Sequence, residues 1–178
     1  MIILVEGPDG FGKSTLCAAL SKALNAELIK FPNVAFESGQ QIYRILEKKL
    51  PFEAMSFQAL QIVNRLETYE ILNPKKTYVM DRGKLSGIIY ALVDGLPEEW
   101  VRKTADYIPN PDVTVIITGR SYKQDSDIYS DREYQKKVKA LYKEEGKDLS
   151  GRVIWVCNLN STPEEMLEKV LKELKGVV

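Results

Sequence analysis

The stretch "VEGPDGFGKST", residues 5–15, decides the fold. It packs three glycines, a proline and acidic side chains into one tight loop, then sets a lysine and two hydroxyls at the start of a helix. The spacing is Gly7-x-x-x-x-Gly12-Lys13-Ser14, the phosphate-binding loop pattern. Gly7, Gly10 and Gly12 permit backbone conformations closed to other residues and a close approach to a ligand. Inward-turned N–H groups then form an anion nest. A helix starting near Lys13 adds unpaired N–H groups and its positive dipole end. In such a loop Lys13 reaches the outer phosphates and the Ser14 hydroxyl holds Mg²⁺. The expected ATP-binding residues here are Gly7, Asp9, Gly10, Phe11, Gly12, Lys13, Ser14 and Thr15.

A glycine-rich turn between a strand and a helix is the plainer reading, and context separates the two. Residues 1–5 are an apolar run that ends at the loop, as a buried strand would. Residues 14–24 carry Leu16, Ala19, Leu20, Ala23 and Leu24 at helical spacing. Strand, loop and helix come in the order that phosphate binding requires.

Beyond the first helix, residues 27–32 read as a short strand ended by Pro32. Residues 37–50 and 53–72 read as helices, the second closed by Asn73-Pro74. "TYVMDR", 77–82, is a strand running into a charged pair. Helices follow over 86–93 and from Pro97, then a strand over 111–120. Residues 121–148 are highly charged and read as mostly helical. The last strand is 151–158. The last helix is 161–174, with Ser161 or Thr162 as N-cap and Glu164 and Glu165 at its positive end. Strands that alternate with helices, most of them continuous apolar runs, predict an α/β fold of three layers: a parallel sheet with helices on both faces. Residues 1–178 are expected to form one domain. Ligands in such sheets sit at the carboxyl ends of strands. The phosphate loop, Asp81-Arg82 and Gly119-Arg120 all fall at such ends.

Composition narrows the functions. The 178 residues carry 25 Lys plus Arg and 25 Asp plus Glu, so no global charge draws nucleic acid or anionic membrane. No histidine is present, which removes His-based triads, His general bases and His metal sites. Phosphoryl transfer tolerates that, since it rests on positioning and charge stabilisation. Cys17 and Cys157 lie in apolar surroundings and are expected to be small buried core residues. A first strand at residue 1 leaves no room for a leader, and no apolar run would cross a bilayer. The expectation is a cytoplasmic protein.

Asp81 at a strand end suits Mg²⁺ in company with Ser14, or a turn cap. Arg82 suits a bridge between donor and acceptor phosphates, or an ion pair. Asp9 would repel phosphates if it faced them, so it points toward an acceptor hydroxyl or bonds its own turn. Arg65, in an otherwise apolar helix, either meets solvent or reads a base edge. Residues 120–135 suit a lid in which Arg120, Lys123 or Arg132 covers the transferred phosphate.

These residues together resemble the thymidylate kinase family of P-loop nucleoside monophosphate kinases, nearly end to end. The resemblance is carried by "EGPDGFGKST", by "KFP" with Gly39 beyond it, by "NRLE" at 64–67, by "DRGKLSGIIYA" at 81–91, by "NPDVTVII" at 110–117 and by "DIYSDREYQKKVKALY" at 127–142. It implies a five-stranded parallel core, a homodimer built by helix packing, and transfer of the γ-phosphate of ATP to dTMP with Mg²⁺. Lys13, Arg82, Asp81 and Asp9 are then catalytic, with Ser14 and Asp81 at the metal. It implies that Asp9 binds the sugar 3′-hydroxyl, that Arg65 meets the base, that Arg82 meets phosphates, and that Tyr129 lies beside the sugar's 2′ carbon. Phe31, Gln61, Ser86 and Tyr90 complete the implied acceptor site.

Five positions depart from the family pattern. Val34 stands where an arginine grips the acceptor phosphate, Gln61 where an aromatic stacks on the base, and Gly83 where the family has tyrosine. Asp127-Ile128 replaces the lid's Asp-Arg pair, and Phe11 replaces a small loop residue. Arg44 or Lys84 could stand in for the missing arginine. Two other functions stay open at this point. One is a kinase for a hydroxyl of a nucleoside, a modified thymidine-like nucleotide or a DNA base. The other is a nucleotide-binding regulatory module without kinase activity.

Overall fold

A computed structural model describes residues 1–122 and 128–175 of the chain. Five strands, β1 (Ile2–Glu6), β2 (Glu27–Lys30), β3 (Tyr78–Asp81), β4 (Val113–Thr118) and β5 (Arg152–Cys157), pair in parallel in the order β2-β3-β1-β4-β5. The helices among the described residues are α1 (Lys13–Leu24), α2 (Glu37–Leu46), α3 (Ala54–Glu70), α4 (Lys84–Val93), α5 (Glu98–Ala105), α6 (Arg132–Glu145) and α7 (Pro163–Leu174).

Period-two alternation along the central strands builds the two cores. Ile3 and Val5 of β1, with Val113, Val115 and Ile117 of β4, pack on Leu16, Cys17 and Leu20 of α1 and on Met166, Val170 and Leu174 of α7. The alternate residues face the other way. Leu4 joins Phe31, Tyr78 and Met80, and Ile116 joins a cluster of α2, α3, α4 and α6 that includes Ile42, Phe57, Ile89 and Tyr142. Each such side chain, fully buried, contributes about 1.5–3 kcal/mol.

Parallel pairing brings every strand's carboxyl end to the same edge. The register sets Val5 beside Asp81 and Lys30 beside Asp81 in turn, so the phosphate loop, the end of β3 and the end of β2 are neighbours. Thr118 and Cys157 pair at the end of β4 and β5.

One expectation holds and one is corrected here. Among the described residues of the charged segment 121–148, most are helical as expected: the helix is Arg132–Glu145, and the Asp131 side chain caps it by accepting from the Tyr134 N–H at 2.8 Å. Residues 128–131 precede it as turn and extended chain. Cys157 is exposed, while Cys17 is buried as expected. On edge strand β5 the alternation buries Ile154 and Val156 and turns Cys157 outward.

Candidate active site

The phosphate loop needs its glycines for three separate reasons. Gly7 has φ 143°, and a Cβ there would sit 2.7 Å from the Ile117 carbonyl oxygen, so it serves close packing of β1 on β4 and does not line the cleft. Gly10 has φ 76° and turns the loop. Gly12 caps α1 at φ 90°, with open space where a side chain would lie. The cleft above the loop is walled by Gly10, Phe11, Gly12, Lys13, Ser14 and Thr15 on one side and by Lys30, Asp81 and Arg82 on the other.

Lys13 lies within that wall. Its Nζ donates to the Pro8 carbonyl at 2.6 Å and stands 3.8 Å from Asp9 Oδ1. Burial, reinforced by the charge of Arg82, brings its pKa down to about 8 against the pull of Asp9. The Ser14 hydroxyl donates to Asp81 Oδ2 at 2.6 Å. A hydroxyl and a carboxylate side by side at a phosphate nest form a hard-oxygen donor set that fits Mg²⁺, which uses one or two carboxylates and completes its shell with water and substrate phosphate. Among the described residues no group of three acidic, Cys or His ligands gathers, as an all-protein metal cage would require.

Arg82 links the two halves of the cleft. It follows β3 with φ 72°, a conformation that costs a non-glycine residue on the order of 1–3 kcal/mol. The guanidinium pairs with Asp9, donates to Ser86 Oγ at 3.2 Å, and lies 5.3 Å over the Tyr90 ring. The Tyr90 hydroxyl also donates to Asp9. Burial alone would raise the Asp9 carboxyl; Arg82, Lys13 and Tyr90 outweigh it and hold it at about 2. Burial likewise opposes the Arg82 charge, but Asp9 reverses that and leaves its pKa raised. Asp9 therefore neither faces the phosphates unpaired nor bonds its own turn.

Beyond Arg82 the cleft narrows into a second cavity lined by Asp9, Phe31, Gln61, Arg65, Arg82, Ser86, Tyr90 and Tyr129, so the acceptor residues implied by the resemblance converge. Its volume is about 90 Å³, against about 470 Å³ for the phosphate half of the cleft. Arg65 is buried, donates to the Gln61 carbonyl at 2.9 Å, and lies 5.8 Å over the Phe31 ring. Burial lowers its pKa to about 10, and its Nε has no hydrogen-bond partner in this structure. The Ser86 hydroxyl is committed to Glu6 and Tyr142.

The outer mouth is lined by Phe11, Arg120, Tyr129, Arg132, Gln135 and Lys139, among others. Arg120 and Arg132 thus reach it together. Lys123 and Asp127 lie outside the described residues.

The other departures resolve physically. Lys84 Nζ donates to the Ile108 carbonyl and to Asn110 Oδ1, away from the cleft. Arg44 is exposed, and it lines neither half. Neither replaces the missing arginine. Val34 is exposed as well. A Cβ at Gly83 would fall 2.6 Å from Leu4 Cδ1, so the glycine makes room for a core leucine. The Asn64-Arg65-x-Glu67 segment divides its work. Asn64 clamps the Asn33 backbone from both sides and donates to Ser38 Oγ, and Glu67 accepts from Ser38; Arg65 alone faces the cavity. Gly39 is required because a Cβ would strike the Asn33 carbonyl oxygen.

Sequence reasoning missed four polar residues. Glu6, fully buried at the end of β1, accepts from the Ser86 N–H and hydroxyl and from Tyr142. Asn158 binds the Phe11 carbonyl and both backbone groups of Arg120. Gln58 lies under Tyr129. Lys30 lines the phosphate half, its side chain making no hydrogen bond or ion pair among the described residues. Only Glu6 and Lys30 carried a signal, an ionic residue at the carboxyl end of a strand.

A phosphate nest, a Ser–Asp pair beside it and a second cavity reached past one arginine define a P-loop kinase of the nucleoside monophosphate type. The family model for thymidylate kinase matches residues 5–170, and the chain belongs to that family. It is 33% identical over 125 residues to the thymidylate kinase of Schizosaccharomyces pombe, covering 65% of this chain and 60% of that one. It is 30% identical over 184 residues to the thymidylate kinase of Arabidopsis thaliana, covering 95% and 68%. The solved thymidylate kinase of Candida albicans superposes with a TM-score of 0.81 at 25% identity, over 99% of this chain and 91% of that one.

Proposed function

We propose that the protein transfers the γ-phosphoryl group of ATP to dTMP, giving dTDP and ADP. The observation that carries this reading is the position of the Asp9–Arg82 pair. It lines both the phosphate half of the cleft and the acceptor cavity, so one guanidinium can touch phosphates on both sides.

The triphosphate lies along the loop, and Lys13 leaves the Pro8 carbonyl to meet its outer oxygens. Ser14 and Asp81 would hold Mg²⁺, which would supply charge neutralisation at the transferred phosphoryl group. The orphaned Arg65 Nε and its Nη groups offer donors to a base carbonyl in a pocket flanked by Phe31. Asp9 accepts from the sugar 3′-hydroxyl while it keeps Arg82 oriented, and Tyr129 packs against the 2′ carbon. Lys30 supplies the cation that Val34 does not. Arg120 and Arg132 close over the donor from the mouth. Val63 and Met55, apolar and outward on α3, support a homodimer built on that helix, which light scattering of the purified protein would test.

The test of the reaction is ADP release by the purified protein with Mg-ATP against dTMP, the other deoxynucleoside monophosphates, thymidine and duplex DNA. Turnover selective for dTMP is expected. Transfer confined to thymidine or DNA, or tight ATP binding without transfer to any of them, would overturn the reading.

A further inference from the structure

Asp94 is the C-cap residue of α4, its backbone N–H donating to the Leu92 and Tyr90 carbonyls, and nothing in the reaction described above uses its carboxylate. Three donors from three elements converge on it. Gln58 Nε2 of α3 donates to Oδ2 at 2.7 Å, the Tyr129 hydroxyl donates to Oδ2 at 3.1 Å, and the Tyr134 hydroxyl of α6 donates to Oδ1 at 2.7 Å. A carboxylate can accept all three, since its two oxygens offer about four lone-pair sites. An amide in its place would turn an NH₂ group toward one set of donors.

The residue so held is a cavity wall. Tyr129 lines both the acceptor cavity and the outer mouth. Its ring stacks on Tyr134 with centroids 4.9 Å apart and meets Tyr90 edge-on at 4.9 Å; Tyr90 in turn binds Asp9. Gln58 Nε2 also reaches the Tyr129 hydroxyl at 3.2 Å, and Gln135 holds its carbonyl at 2.9 Å. The tyrosine is thereby fixed at ring, hydroxyl and backbone, and Asp94 brings an ionic group to those hydroxyl contacts.

We propose that Asp94 is a positioning residue for acceptor selection. It pins the Tyr129 ring at the sugar end of the cavity, and it does so by tying the base of the charged 120–135 segment to α3 and α4. The inference rests on the dTMP kinase reading, because it assigns the cavity to a deoxynucleotide. Asp94 touches neither substrate. Its effect falls on the acceptor side, since Gln58 and Tyr129 line the acceptor cavity and none of its three partners lines the phosphate half of the cleft.

The experiment compares wild type, Asp94→Asn, Tyr129→Phe and the double variant. It measures kcat and KM for dTMP and for ATP, turnover of dTMP against its ribonucleotide counterpart, and Tm. Loss of a charge-assisted bond to the pinned hydroxyl is expected to raise the dTMP KM about five- to tenfold in each single variant. The ATP KM should stay within about twofold by the same reasoning, and the preference for dTMP over the ribonucleotide should narrow. The double variant should be no worse than the singles, because both remove the same bond. Should Asp94→Asn fail to fold, Tyr129→Phe alone must show the acceptor-only change. Equal rises in both KM values, multiplied effects in the double variant, or unchanged acceptor constants would overturn the proposal. A wild type that ignores dTMP would instead sink the reaction on which it rests.

Discussion

Arg82 donates through Nη2 to Asp9 Oδ1, joining the end of β3 to the middle of the phosphate loop across the cleft. Both groups keep some contact with water, at 18% and 23% side-chain exposure, so loss of one partner costs less than the 3–5 kcal/mol of a fully buried pair. Asp9→Asn is expected to destabilise the nucleotide-free protein by roughly 1–3 kcal/mol in urea denaturation. It should lower kcat at least about a hundredfold, because Arg82 loses its aim. The acid limb follows in sign. The Asp9 carboxyl titrates at about 2 folded against 3.8 unfolded, so its stabilisation is present above 3.8 and vanishes as pH falls toward 2. Denaturation midpoints between pH 2 and 5 should be flatter in Asp9→Asn than in wild type.

Lys13 predicts the opposite, alkaline limb. Its pKa is about 8 folded against 10.5 unfolded. Below about 8 the folded protein carries a buried charge at a cost. From about 8 to 10.5 the unfolded chain binds the extra proton, so stability of the nucleotide-free protein should rise with pH. Bound phosphates favour the charged form, so Mg-ATP binding should take up a proton near pH 8 to 9 and weaken above it, by at most about tenfold per pH unit. Calorimetry in buffers of different ionisation enthalpy reads that uptake. Lys13→Met should abolish it, and undiminished uptake in that variant would place the proton elsewhere.

Asn158 predicts a structural link between nucleotide loop and lid. Its side chain, 1% exposed, donates to the carbonyls of Phe11 and Arg120 and accepts from the Arg120 N–H at 2.8 Å. Asn158→Ala leaves buried backbone groups unpaired at about 1–3 kcal/mol each. A stability loss on the order of 3 kcal/mol is expected, with a raised KM for ATP. Gly119→Ala should behave alike, because its Cβ would fall 1.9 Å from Asn158 Oδ1. A variant with normal stability and normal ATP affinity would break the link.

Such residues mark the boundary of what could be read from sequence. The phosphate loop was legible because its chemistry is local: positive φ at Gly10 and Gly12, then a helix start at Lys13. Asp81 and Arg82 were legible because parallel sheets bind ligands at strand ends. Asn158, Gln58 and Asp94 act through partners 35 or more positions away, and no spacing along the chain encodes such pairs. Cys157 was misread because its neighbours are apolar, whereas its exposure follows from the edge position of β5. The 121–148 segment was legible as mostly helical because charge content favours a solvated helix. It does not locate the Asp131 cap where the helix starts.

Lys30 carries the last prediction. It lies beside Asp81 in the β2–β3 register, lines the phosphate half of the cleft, and makes no ion pair among the described residues. Lys84 is bonded elsewhere and Arg44 lies off the cleft, so Lys30 is the cation expected to reach phosphate from the β2 side. An exposed lysine with no partner adds little to stability. Lys30→Ala should therefore leave the urea midpoint unchanged while lowering kcat/KM for dTMP about ten- to a hundredfold, the worth of one charge-assisted phosphate contact. Lys30→Arg should retain most activity, since either cation reaches a phosphate oxygen. Steady-state kinetics on the two variants decide it. A Lys30→Ala enzyme with wild-type acceptor constants would return the phosphate grip to Arg82 alone.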